Sequence, residues 1–196
     1  MGKPLVLAAL LASTFAAPPP LAAQPAADRE DRRRCSVHGF AFGAESVPVW
    51  AEPSDSSEPV GTLPPPDPGD DSEGQMSSEF DVVEARGGWF RIENGRAWGD
   101  TLDAPLRPVS GWISGRYVAF SLQTEMGFAE PDPRSAVRYR SRDRIQPHML
   151  VALDCRGEWV KLLFSDGGEI REGWFRGVCG IQETSCDSLV GDRYRD

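Results

Sequence analysis

Val151-Ala-Leu-Asp-Cys-Arg-Gly-Glu-Trp-Val-Lys-Leu-Leu-Phe164 is followed, after a short loop, by Gly173-Trp-Phe-Arg176. Apolar residues stand on both sides of Arg156-Gly157-Glu158, a turn signal. The stretch therefore predicts strand, two-residue turn, strand, loop, strand. The same unit occurs earlier, as Asp81-Val-Val-Glu-Ala-Arg-Gly-Gly-Trp-Phe-Arg-Ile92 and then Gly111-Trp-Ile-Ser114.

Three anchors recur in one order. Trp50-Ala51-Glu52-Pro53 matches Phe128-Ala129-Glu130-Pro131, Arg86-Gly87-Gly88-Trp89 matches Arg156-Gly157-Glu158-Trp159, and Gly111-Trp112-Ile113 matches Gly173-Trp174-Phe175. The offsets are 128 − 50 = 78, 159 − 89 = 70 and 173 − 111 = 62, so the first copy carries eight extra residues in each of two loops. A repeat held in register by three aromatic anchors predicts one structural unit built twice.

The anchor order is an extended segment ending in a small residue and Pro, then Gly-x-Trp, then Gly-Trp with an aromatic or aliphatic residue. It resembles the bacterial SH3-like domain over about residues 44–121 and 124–187. The resemblance implies two small β-barrels in tandem. It also implies a non-catalytic binding module of the bacterial cell envelope, recognising peptidoglycan or an envelope peptide or protein. The family's usual Asn-Val-Arg in the first strand reads Pro48-Val49-Trp50 here, and Gly127-Phe128 in the second copy. The family's Arg contact is therefore not carried over.

The remaining segments fit around this frame. Residues 1–23 read as a secretory signal: Lys3 is followed by an apolar run from Leu5 to Ala17, too short to span a membrane, and small residues Ala22-Ala23. Residues 24–43 read as a flexible lead-in and a strand from Cys35 to Phe42 that buttresses the first barrel. Pro64–Glu79 and Glu93–Ser110 are the two enlarged loops, the former acidic but without the spacing of a calcium loop. Trp98, in the second of them, is the one Trp outside the anchors. Residues 188–196 are a polar tail.

Seventeen prolines, twenty glycines and regular turn signals argue against long helices, and no apolar 3.6-residue period follows the signal. The class is all-β. Residues 44–123 hold five Arg against fourteen Asp and Glu, net −9, while 124–186 hold nine Lys and Arg against ten acids, net −1. So acidic a chain is a poor match to nucleic acid or an anionic membrane.

Four cysteines in an exported chain suggest two disulfides, and three connectivities are open. In the SH3-like barrel, the end of the second strand and the turn after the fourth lie together. The resemblance therefore implies Cys155–Cys179 and Cys35–Cys186, with Cys155–Cys186 the nearest alternative. No Cys-x-x-Cys pair exists and His38 and His148 stand apart, so no metal site is expected. No cofactor is expected either.

A Cys–His nucleophile is disfavoured because disulfides account for the cysteines, and no catalytic set stands out. The ligand-binding candidates are the aromatics Trp50, Tyr117, Phe128 and Tyr139, with Arg138, Arg140 and Arg142. Those arginines alternate along a predicted extended stretch and so share a face that can bind carboxylates. The cleft is expected between the loop after the first strand, the hairpin turn at Gly87 or Gly157, and the turn after Gly111 or Gly173. Trp89, Trp112, Trp159 and Trp174 are expected in the core. The alternative is a structural or inhibitory protein that docks one partner through a sheet edge.

Overall fold

A computed structural model describes residues 33–43, 45–66, 77–96, 109–140 and 148–180. The segment read as a signal, the acidic Asp67–Glu73 stretch, Trp98, Arg142, Cys186 and the tail lie outside these residues. Apart from one 3₁₀ turn at Gly115–Tyr117, every regular element described is a strand, as the composition predicts. No helix among the described residues is long and apolar enough to cross a membrane.

In chain order the strands are β1 (Arg33–Ala41), β2 (Val47–Trp50), β3 (Pro59–Leu63), β4 (Glu79–Arg86), β5 (Trp89–Arg96), β6 (Val109–Ser114) and β7 (Val118–Ala119). Then follow β8 (Ser121–Leu122), β9 (Met126–Phe128), β10 (Val137–Arg140), β11 (His148–Arg156), β12 (Trp159–Asp166), β13 (Glu169–Arg176) and β14 (Val178–Cys179). One curled sheet runs β3-β2-β6-β5-β4-β1-β7, a second runs β10-β9-β13-β12-β11, and β14 pairs with β8.

The two sheets share one five-strand order: β3-β2-β6-β5-β4 in the first repeats as β10-β9-β13-β12-β11 in the second. The match reaches single hydrogen bonds. Between β2 and β3, Ala51 N–H donates to Glu58 O, Glu52 N–H to Ser57 Oγ, and Ser54 N–H to Glu52 O. Between β9 and β10, Ala129 N–H donates to Ala136 O, Glu130 N–H to Ser135 Oγ, and Asp132 N–H to Glu130 O. Every equivalence is at the offset of 78 read from the sequence. The hairpin turns agree as well: Gly87 and Gly88 hold φ of +56° and +78°, and Gly157 holds +55°, a region that glycine enters without penalty.

Alternation along the hairpins builds the core. Phe90, Ile92 and Ile113 point inward from β5 and β6, and Val160, Leu162, Phe164 and Phe175 do so from β12 and β13. Phe164 meets Tyr139 and Phe175 edge-on, both at 5.3 Å between ring centroids. The inward residues of both sheets form one continuous cluster.

The two units are joined rather than merely strung together. β1 pairs with β4 from Arg33 to Phe40 and with β7 at its end, and its other edge near Cys35 meets the second unit. There Ser36 N–H donates to Gly157 O at 2.8 Å and Gly157 N–H to Arg34 O at 2.9 Å. Across the joint, a Cβ on Gly115 would run into the Ala152 carbonyl oxygen and stand 2.8 Å from the Phe90 ring.

This contact corrects the disulfide pairing. Cys35 bonds Cys155, with Cα atoms 5.6 Å apart, inside the range a disulfide spans. The expected pairings, Cys155–Cys179 and Cys35–Cys186, tied β1 to the C-terminal segment instead of to β11. In fact the first residues of β1 lie alongside the β11–β12 turn, which puts Cys35 beside the fully buried Cys155. Cys179 is disulfide-bonded too.

Candidate ligand-binding face

The repeat anchors place an aromatic on the outer side of each sheet. On β13, Phe175 points into the core, so its neighbour Trp174 points out. Trp174 stands opposite Lys161 on β12 and opposite Phe128 on β9, and Trp159 stands opposite Arg176. Residues paired across an antiparallel ladder share a face. Phe128, Trp159 and Trp174 therefore form one outer cluster, and the Phe128 and Trp159 rings meet edge-on at 5.6 Å.

The first sheet repeats the arrangement. Trp50 pairs with Trp112, Trp112 with Arg91, and Trp89 with Ser114. Trp50, Trp89 and Trp112 thus occupy the positions of Phe128, Trp159 and Trp174.

Trp112, Trp174 and Phe128 are 6, 4 and 5 % exposed, whereas Trp50, Trp89 and Trp159 are half-buried. Each face therefore offers ligand the edge of one or two indoles seated on a buried ring. Cations stand among them in the second sheet. The Arg156 guanidinium lies 5.5 Å from the Trp174 ring centroid, within cation–π range. Lys161 Nζ is 3.1 Å from a Glu172 carboxylate oxygen, and Arg176 grips Glu158 at 2.7 Å.

The predicted site residues divide accordingly. Trp50 is on the outer face of the first sheet and half-exposed. Tyr117 lies on the 3₁₀ turn, packed against the core, with the Arg116 guanidinium 4.6 Å from its ring centroid. Arg138 and Arg140 are exposed on β10, and Tyr139 between them is buried. Arg142 lies outside the described residues.

Phe128 and Tyr139 are corrected as direct contacts. Each is 5 % exposed, Phe128 under Trp159 and Tyr139 in the core against Phe164. The four anchor tryptophans divide as well: all four lie on outer faces, and only Trp112 and Trp174 are buried. The signal for this was in the sequence. Each Trp is followed by an apolar residue, Phe90, Ile113, Val160 or Phe175, and two neighbours on a strand cannot face the same way.

The two units meet at turns of the expected clefts. In the first unit the hairpin turn and the turn after Gly111 do meet, since Gly115 N–H donates to Gly88 O at 2.8 Å. However, β11 of the second unit seats against Gly115. In the second unit β1 hydrogen-bonds to the backbone of Gly157, which stays exposed. What the cleft reading assigned to ligand is used to join the two units.

A second polar cluster lies where β1, β4 and β5 run side by side. His38 Nδ1 is 3.0 Å from Asp81 Oδ1, its Nε2 is 3.6 Å from Glu79 Oε2, and Asn94 donates to Asp81 Oδ2 at 2.7 Å. Among the described residues no group of three or more His, Cys, Asp or Glu side chains is arranged to hold a metal ion. The described cysteines are all in disulfides, which leaves His38 no thiol to activate.

Comparison with known proteins yields no match to a family model, a curated protein or a solved structure.

Proposed function

We propose that the protein is an exported, non-catalytic binding module of the bacterial cell envelope that recognises peptidoglycan. On this reading each unit is an SH3-like barrel, over residues 44–121 and 124–187, and residues 1–23 direct export. The observation that carries the reading is the aromatic face built twice, Trp50–Trp89–Trp112 and Phe128–Trp159–Trp174. The partly exposed indole edges give sugar rings apolar contact, and Arg156, Arg138 and Arg140 suit the carboxylates of stem peptides. The shared strand order and the 3₁₀ turn before β7 support the barrel reading. The disulfides suit an oxidising compartment.

The test is co-sedimentation of the oxidised protein with purified sacculi at low and high salt. Pelleting that survives high salt supports binding through the aromatic faces. Pelleting lost at high salt assigns binding to the exposed arginines, because salt screens such charges. No pelleting at either salt removes the wall reading. A second reading, docking of one protein partner, is favoured by the open edge of β10.

A further inference from the structure

The two units carry equivalent edge strands that have diverged. β3 ends the first sheet and β10 ends the second. Their registers match: Trp50 pairs with Pro59 and Val49 with Gly61, as Phe128 pairs with Val137 and Gly127 with Tyr139, each across an irregularity in the ladder. Residue for residue, Pro59, Val60 and Thr62 correspond to Val137, Arg138 and Arg140. The chain thus contains its own control for this edge.

Backbone alternation shows what the change does. Ala129 N–H donates to Ala136 O, so Ala136 faces β9. The next residue, Val137, turns its own N–H and C=O outward, away from β9. On β3 the same position is Pro59, which has no N–H to offer. β3 is closed to an added strand at this point, whereas β10 has both groups to offer and no neighbour on that side among the described residues. Val137 is 45 % exposed, so it also offers apolar surface beside the edge.

Charge points to what docks there. Arg138 and Arg140 replace the uncharged Val60 and Thr62. Both are exposed, and neither has an ion-pair partner among the described residues, whereas Arg134 in the preceding loop is held by Asp132. Arg138 sits in the ladder irregularity between Val137 and Tyr139, and Arg140 follows two residues on. A flexible pair of guanidinium groups at this edge can reach carboxylates of an extended acidic peptide laid along β10.

We propose that β10 is a docking edge for an extended acidic peptide, which adds as a further strand beside Val137 and pairs its carboxylates with Arg138 and Arg140. This docking stands whether or not the aromatic faces bind the wall, and stem-peptide carboxylates would compete for the same two arginines. The competing role for the two arginines is to keep the edge from pairing with other copies of the chain.

The experiment titrates the oxidised full chain with a fluorescein-labelled hexapeptide of alternating Glu and Val, read by anisotropy at low ionic strength. Controls are the same peptide with Lys for Glu, and with alternate backbone amides N-methylated. The Glu peptide is expected to bind and the Lys peptide not. The double variant Arg138→Gln, Arg140→Gln should weaken binding about tenfold, as two lost cross-strand charge pairs imply. N-methylation in one of the two possible registers should weaken it comparably, since it blocks the backbone donors. No binding of the Glu peptide, equal binding of the Lys peptide, or full affinity in the double variant each overturns the proposal. Binding that survives N-methylation in both registers reduces the edge to an unspecific anion patch and overturns it too. Both arginines are exposed, so the double variant should fold, and an unchanged far-UV spectrum checks this.

Discussion

Gly115 carries a constraint out of proportion to its size. It ends β6 where β11 crosses, and a Cβ there meets the Ala152 carbonyl oxygen, the Phe90 ring and the Gly88 carbonyl oxygen. Two of these neighbours are backbone and cannot swing aside. Gly115→Ala should destabilise the protein by about 2 kcal/mol or more, an overpacking cost, measured as a shift in the urea midpoint. Asp132 gives a prediction of another kind. Hydrogen bonds from the Arg134 side chain and backbone hold its carboxyl at about 2, well below the usual value. A depressed carboxylate stabilises the folded state above the ordinary Asp range near ~3.9, and that contribution is lost as pH falls through about 2. An NMR titration should place the Asp132 midpoint near 2, and Arg134→Ala should move it up toward the ordinary value.

At the scale of elements, hairpins were legible in the sequence because glycine turns and period-2 alternation are local signals. β4–β5, β11–β12 and the offset of 78 all stand as read. The enlarged loops were drawn too wide: Glu79 belongs to β4 and Glu93–Arg96 to β5, since polar residues on an outer strand face look like loop. The assignment of faces was half legible. Alternation marked Arg138 and Arg140 as sharing a side, yet whether Tyr139 between them faced ligand or core depends on which side the sheet curls toward, a tertiary fact. β10 therefore makes a sharp prediction. Tyr139→Ala should cost about 3–5 kcal/mol, as removal of a core aromatic does, while Arg138→Ala and Arg140→Ala should each change stability by less than about 0.5 kcal/mol. Thermal or urea unfolding of the three variants decides it.

At the scale of the whole molecule, the two units share one core and a covalent tie. Cys35–Cys155 joins residues 120 apart in sequence. In the chain-entropy account, closing a loop of that length contributes about 4–5 kcal/mol. Cys35→Ser with Cys155→Ser should lose most of that, and a non-reducing peptide map should find Cys35 linked to Cys155. This tie was not readable from the sequence, because it depends on β1, while paired with β4, also lying against the β11–β12 turn. The same contact takes up the backbone of the turn at Gly157, while the aromatic outer faces and the β10 edge stand as the candidate surfaces for ligand. The most direct test is co-sedimentation with sacculi at high salt, comparing the unmodified chain with the double variant Trp89→Ala, Trp159→Ala. Both indoles are half-exposed and outside the core cluster. The account predicts that the unmodified chain pellets and that the variant, still folded by near-UV spectrum, stays in solution. A folded variant that pellets as well as the unmodified chain would contradict it.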